Sequence, residues 1–257
     1  MLKKENIVAI IPARYGSARL PGKPLIDLCG KPMIQRVYER AKQAKLVNEV
    51  IVATDDARIV DAVKRFGGKA VMTPTDLRSG SDRVAFVAKD LPDASIIVNV
   101  QGDEPLIEPA MIDEAIQPLI DDTGLLVGTL LKRIDSAEEL SNPTIVKAVL
   151  DKNRFALYFS RAPIPFNRDG HGFEGFYKHI GLYVYRRSFL LKFASLQESA
   201  LERVEKLEQL RILEHGYKIK AAITSYDSVP VDTPEDVERV KTLLKKSAAS
   251  SFEMKTS

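Results

Sequence analysis

Short aliphatic runs alternate with amphipathic stretches through the first part of the chain, and that order leaves few architectures open. IVAII from Ile7, EVIVAT over Glu49–Thr54 and SIIVNV from Ser95 read as buried strands. Between them a helical period from Met33 to Ala44 puts Met33, Val37 and Ala41 on one face. A second helix, Ala57 to Phe66, stops at Gly67-Gly68. A short strand, KAVMT, and a helix from Val84 to Asp90 complete the pattern before Ser95. Alternation of this kind covers both faces of a mostly parallel sheet through right-handed crossovers. The expected fold is therefore α/β, three-layered and Rossmann-like.

In such sheets ligands bind beyond the carboxyl ends of the strands, and the first strand empties into IIPARYGSARLPGKPL, Ile10 to Leu25. Gly16, Ser17, Pro21 and Gly22 let main-chain N–H groups approach an anion, while Arg14, Arg19 and Lys23 neutralise charge that dipoles alone leave over. A polyphosphate meets that description; a solvated basic loop is the plainer alternative. The order is neither the GxxxxGK[ST] of a P-loop nor GxGxxG, so neither mechanism transfers.

The strand at Ser95 ends in Gln101-Gly102-Asp103-Glu104-Pro105, which sets two carboxylates at the same sheet edge. Asp103 is the first candidate ligand for Mg2+, and Asp232, in VDTPED, is the second. Magnesium usually takes one or two protein carboxylates together with substrate phosphates. The same acids also read as an ordinary turn and as a helix start, with Thr233 capping and Pro234 at the first position. Ser79-Gly80-Ser81-Asp82-Arg83 opens a helix; its donors and Arg83 can meet an anion or a base edge, or Ser79 can simply cap.

From Leu125 the pattern turns strand-rich: GLLVGTLLKR, TIVKAVLD, FALYFSRAPIPF and YKHIGLYVYR, with the Gly-rich NRDGHGFEGF between the last two. KAVLDKNRFALYFSR reads as a hairpin with Lys152-Asn153 near its turn. Helices are expected from Arg187 to Phe193 and from about Glu202 to His215, closed by Gly216, followed by the strand KIKAAIT and a last helix. A ligand carrying an acid and hydroxyls would need a cation and a polar network. Arg161, His179, Glu208, Gln209 and Arg211 are candidates for it, although each alone reads first as a structural or surface residue.

With 38 Lys and Arg against 35 Asp and Glu, the charge is too balanced for nucleic-acid binding. The single cysteine, Cys29, excludes an internal disulfide framework and a cysteine-rich zinc site; it reads as a small packing residue before Gly30 and suits a reducing cytoplasm. No run approaches the roughly 18 apolar residues of a membrane span. The start carries only a short apolar run ended by Pro12, unlike a signal peptide. A cytoplasmic protein without a membrane partner is expected.

ARYGSARLPGKPL with GKPMI, then SGSDR, QGDEP, YFSR, KHIG, LEQLR and VDTPED follow one another between about residues 7 and 241. In that order they resemble the 3-deoxy-manno-octulosonate (KDO) cytidylyltransferases, a family of sugar nucleotidyltransferases. The resemblance implies transfer of CMP from CTP to KDO with release of pyrophosphate, activating KDO for lipopolysaccharide biosynthesis. It implies Mg2+ on Asp103 and Asp232, which with Arg14 and Lys23 form the catalytic set. The nucleotide falls to Pro12, Ala13, Arg14, Arg19, Lys23, Ser79, Gly80, Arg83 and Gln101, and the sugar to Arg161, His179, Tyr183, Glu208 and Gln209. Leu77 stands where a histidine is often found in the family.

The same resemblance implies one α/β domain over residues 1–246. Its nucleotide-binding part covers about 5–124, a sugar-binding and homodimer-forming part about 125–220, and a returning strand and helix 221–246, before a flexible tail at 247–257. A cytidylyltransferase for another acidic sugar, such as 8-amino-KDO or a sialic acid, remains an alternative. A nucleotide-binding regulator without catalysis is another, although it predicts loss of an acidic ligand, and Asp103 and Asp232 are both present.

Overall fold

The computed structural model describes residues 5–16, 20–170 and 175–253. The chain divides into two compact units interleaved in sequence. One is built from Val8–Asp90, Asn99–Pro109 and Ser228–Ser257, the other from Met1–Ile7, Leu91–Val98 and Ala110–Asp227.

In the first unit β1 (Ile7–Ala13), β2 (Glu49–Thr54) and β3 (Lys69–Met72) run parallel with β2 in the middle, Ile10 pairing with Ile51 and Ile51 with Lys69. β1 and β2 are buried almost throughout, as continuous aliphatic runs covered on both faces should be. Helix α1 (Met33–Gln43) buries Met33, Val37 and Ala41, the predicted face, together with Ile34 and Tyr38. Helix α2 (Ala57–Arg65) is capped by Asp56, which accepts from Arg58 N at 2.9 Å. Helix α3 (Gly80–Lys89) starts ahead of the expected Val84 because Ser79 Oγ accepts from Asp82 N at 3.1 Å. The last helix (Pro234–Glu253) is anchored by Val237 and Val240, which pack with Val231 among Leu20, Leu28 and Met33.

The second unit carries β4 (Ile96–Asn99), β5 (Val127–Arg133), β6 (Lys147–Leu150), β7 (Ala156–Ser160), β8 (Tyr177–Arg186) and β9 (Lys220–Thr224). The order is β4, β8, β5, β9; β5 is antiparallel to β8 and parallel to β9, which makes the sheet mixed. The predicted hairpin forms as β6 and β7, antiparallel, with Leu150 opposite Ala156.

Several expectations need correction. Helix α4 (Pro109–Asp121) lies where none was expected; Pro118 inside it obscures the period, yet Met111, Ile112, Ala115, Ile116 and Leu119 are buried on it. A short α5 (Ala137–Ser141) was likewise unforeseen, whereas α6 (Arg187–Phe193) has the predicted bounds. The single helix expected from Glu202 to His215 is two, α7 (Ala200–Glu205) and α8 (Gln209–Glu214), parted by Lys206 in the left-handed region at φ 54°. The polar stretch expected to fray at 247–257 is helical as far as Glu253, and residues 254–257 lie outside the described residues. Cys29 is exposed with φ 56° rather than packed.

Candidate active site

β1 runs out at Ala13 and the basic loop returns on itself: Gly22 N donates to Tyr15 O at 2.9 Å. Gly22, at φ 69°, leads into a 3-10 turn over Lys23–Leu25. This return carries Lys23 back to the strand ends. The cleft there, about 230 Å³, is lined by Pro12, Ala13, Arg14 and Lys23 together with Gly80, Gln101 and Asp103. A Cβ on Gly102 would stand 2.7 Å from Pro12 O, so only glycine lets the QGDEP turn lie against β1. Arg19 falls outside the described residues.

Lys23 Nζ donates to Asp103 Oδ2 at 2.6 Å and to Asp232 Oδ1 at 3.0 Å, so one ammonium draws both predicted metal ligands together. Burial alone would push that ammonium down, but Asp103 and Asp232 outweigh it and hold its pKa above the ordinary value. The main chain fixes the same pair, Val231 N donating to Asp103 O at 2.9 Å. Asp236 secures the other side: its Oδ2 accepts from Asp232 N at 3.0 Å and Thr233 N at 2.9 Å, while Thr233 Oγ1 accepts from Asp236 N at 3.3 Å. Two hard carboxylates converging on one cation suit a hard divalent metal ion. No group of three or more His, Cys, Asp or Glu among the described residues could hold a metal, so nucleotide phosphates would have to complete the coordination.

Glu104, the second acid of the turn, is engaged differently. It accepts from Ser228 Oγ, and burial lifts its carboxyl to about 8, against the Ser228 bond and with Asp103 adding.

Arg14 donates to the main-chain oxygen of Leu77. The loop is thus tied to residue 77 by a group every residue possesses, and leucine in place of histidine leaves that tie intact. Arg83, expected to meet the nucleotide, is 0% exposed; its guanidinium pairs with Asp55 at 2.7 Å and bonds Thr73 Oγ1. It ties the start of α3 to the ends of β2 and β3. Sequence reasoning also missed a buried polar chain: Gln101 Nε2 donates to Asn99 Oδ1 at 3.2 Å, and Asn99 Nδ2 to Ser81 Oγ at 3.4 Å. The one polar residue inside an aliphatic run was the available signal.

The sugar candidates belong to the second unit. Thr129 Oγ1 donates to Leu182 O at 2.9 Å and lies 3.0 Å from His179 Nε2. A carbonyl can only accept, so the hydroxyl proton is committed and Nε2 must carry its own. Burial keeps the imidazole neutral by pushing its pKa down to about 3. The Tyr183 and His179 ring centroids are 5.2 Å apart, and the buried Tyr183 hydroxyl makes no well-formed hydrogen bond among the described residues, with the Thr129 hydroxyl beside it. Burial raises the phenol well above its usual pKa, with Tyr185 and the Glu208 carboxylate adding. An unsatisfied phenol near a carboxylate suits a hydroxyl-bearing ligand.

Gln209 is buried at the start of α8. Arg161 spends its guanidinium on main-chain oxygens, Nε to Glu205 at 3.0 Å and Nη1 to Pro143 at 3.2 Å. Arg211 is held by Glu202 at 2.8 and 2.5 Å. Lys147, which sequence reasoning passed over, is wholly buried and donates to the main-chain oxygens of Asn142, Ile145 and Arg161 at 2.9, 2.7 and 2.6 Å.

Cations able to grip phosphates, with acids able to share a metal beside them at the ends of α/β strands, equip a protein to move a nucleotidyl group. A sugar nucleotidyltransferase is the class this defines. The chain belongs to the cytidylyltransferase family, whose model matches residues 8–219, and within it to the 3-deoxy-manno-octulosonate cytidylyltransferases. It is 56% identical to 3-deoxy-manno-octulosonate cytidylyltransferase of Geotalea uraniireducens, over 94% of this chain and 100% of that one. It is 54% identical to the same protein of Geobacter sulfurreducens, over 93% and 100%. The solved structure of CMP:2-keto-3-deoxy-manno-octonic acid synthetase complexed with CTP superposes with a TM-score of 0.90 at 47% identity, covering 95% of this chain and 100% of that one. A 4-diphosphocytidyl-2C-methyl-D-erythritol synthase from Anaerococcus prevotii, 14% identical with a TM-score of 0.62 over 95% of this chain and 100% of its own, shares the fold.

Proposed function

We propose that the protein couples CMP from CTP to the anomeric hydroxyl of KDO and releases pyrophosphate. The observation that carries this reading is Lys23 bridging Asp103 and Asp232 at the mouth of the basic loop. In transfer at phosphorus the protein mainly aligns the reactants and neutralises charge. Arg14 and Lys23, with Arg19, bind the triphosphate; Gln101, Ser79, Gly80, Pro12 and Ala13 hold the nucleoside part, and Arg83 steadies the turn that presents them. Asp103 and Asp232 would hold Mg2+. When bound, that ion would offset phosphate charge and make the sugar hydroxyl more acidic. His179, Tyr183, Glu208, Gln209 and Arg161 orient the sugar. His179 is a donor through Nε2, and burial keeps its imidazole neutral. A nucleoside triphosphate substrate suits a cytoplasmic reaction; separately, no helix among the described residues is long and apolar enough to cross a membrane.

The test is pyrophosphate release from CTP and Mg2+ with KDO, 8-amino-KDO and a sialic acid in parallel. Release with KDO alone is expected. Silence with every sugar, while CTP still binds, would overturn catalysis in favour of a nucleotide-binding regulator. Asp103→Asn should cut kcat by about a hundredfold or more while CTP affinity, read by calorimetry, changes far less.

We also read the protein as a homodimer assembled through the second unit, where Leu157, Phe166 and Val204 are 61%, 88% and 81% exposed. Light scattering should give twice the chain mass, and a Leu157→Glu, Val204→Glu double variant should give the chain mass itself. A wild-type monomer at micromolar concentration would reject this.

A further inference from the structure

Asp55-Asp56, at the end of β2, falls outside the catalytic set, yet one of the pair reaches the basic loop through two intermediaries. Asp56 caps α2 and also grips the side chain of Arg58, Oδ1 accepting from Nε at 2.9 Å and Oδ2 from Nη2 at 2.6 Å. The Arg58 guanidinium carbon then lies 3.3 Å from the centre of the Tyr15 ring. Against Tyr15 packs Gly22, where a Cβ would come within 3.2 Å of the ring, and Gly22 N is bonded to Tyr15 O at 2.9 Å.

This ion pair is unusual in where its guanidinium is placed. The Arg58 side chain is 59% exposed, and an exposed pair contributes little by itself while losing rotamer freedom. Residues two apart do not face one another on a helix, so α2 gains nothing from it as an ordinary helical pair. What the two bonds achieve is to hold the cation over an aromatic face, the arrangement in which cation and ring attract. Tyr15 directly follows Arg14, and Gly22 directly precedes Lys23. Fixing the ring therefore fixes the main chain beside both described cations of the loop.

We propose that Arg58, held by Asp56, is a positioning residue for the nucleotide loop, acting through Tyr15. The inference rests on the loop's role in binding CTP. Asp56→Asn separates it from a capping role, because asparagine caps a helix as well as aspartate does but cannot grip the guanidinium as an ion. Arg58→Met removes the cation altogether. Lys69→Met, which breaks another exposed pair, to Glu49 at 2.6 Å, serves as the control.

For Asp56→Asn and Arg58→Met, KM for CTP should rise about three- to fivefold, the worth of an exposed cation–π contact. The rise should come with kcat within about twofold and Tm unchanged. The CTP dissociation constant from calorimetry should move by the same factor. The control should move neither, and adding either substitution to Tyr15→Leu should cost nothing further. Unchanged CTP affinity in both variants, or a fall in Tm with affinity intact, would overturn the proposal. Calorimetry needs no turnover, so a wild type that binds CTP and releases no pyrophosphate would overturn the catalytic reading and leave this one to be judged separately.

Discussion

His179 shows how much a single residue's role depends on its partner. Its pKa is pushed down to about 3 from 6.5 by burial, so between those values the unfolded chain binds a proton that the folded one refuses. Stability therefore rises with pH across that window: the contribution is fully present above about 6.5 and is lost as pH falls toward 3. Urea midpoints taken from pH 7 to pH 4 should fall less steeply in His179→Asn than in the wild type; parallel curves would mean the imidazole protonates freely. Thr129, which is wholly buried and fixes the tautomer, should cost about 1–3 kcal/mol as valine, because the Leu182 carbonyl and the imidazole both lose their partner. At this scale the acidic pair, the basic loop and the histidine of KHIG were legible as residue types in motifs. The partners of Arg83, Glu104 and Asn99 were not, since Asp55, Ser228 and Ser81 come from distant segments and no local pattern announces them.

Elements were legible where periodicity was clean. β2 and α6 have the predicted ends because an aliphatic run and an amphipathic turn each finish at a change of pattern. α4 escaped notice through Pro118, and the break between α7 and α8 rests on one left-handed lysine that no composition rule marks. The β6–β7 hairpin was read correctly, but what secures it was not. Lys147 lies buried there with three main-chain oxygens as its partners; burial lowers its pKa, with Arg161 repelling and Glu205 opposing. Lys147→Met keeps the volume of the stem and takes its donor from the Ile145 and Arg161 oxygens, while Asn142 O keeps Ile145 N at 3.2 Å. The expected loss is about 2 kcal/mol or more, at about 1–3 kcal/mol for each unsatisfied buried group. Chemical denaturation measures it, and a loss below about 1 kcal/mol would mean the oxygens find other donors.

At the scale of the whole molecule the two units share the chain in alternating segments, so neither corresponds to one contiguous piece. A protein ending at Asp227 would lack Asp232 together with Val231, Val237 and Val240, which pack among Leu20, Leu28 and Met33. We expect such a truncation to expose that apolar cluster, bind a hydrophobic dye and lose CTP binding. Retention of CTP affinity would show that the first unit stands without its last helix. The bond from Val231 N to Asp103 O has a different kind of consequence. Because it joins main chain to main chain, drift in the side chains at either position leaves it standing. A lineage could silence the acidic pair by one substitution, keep the cleft in working shape for generations, and recover it by a single reversion.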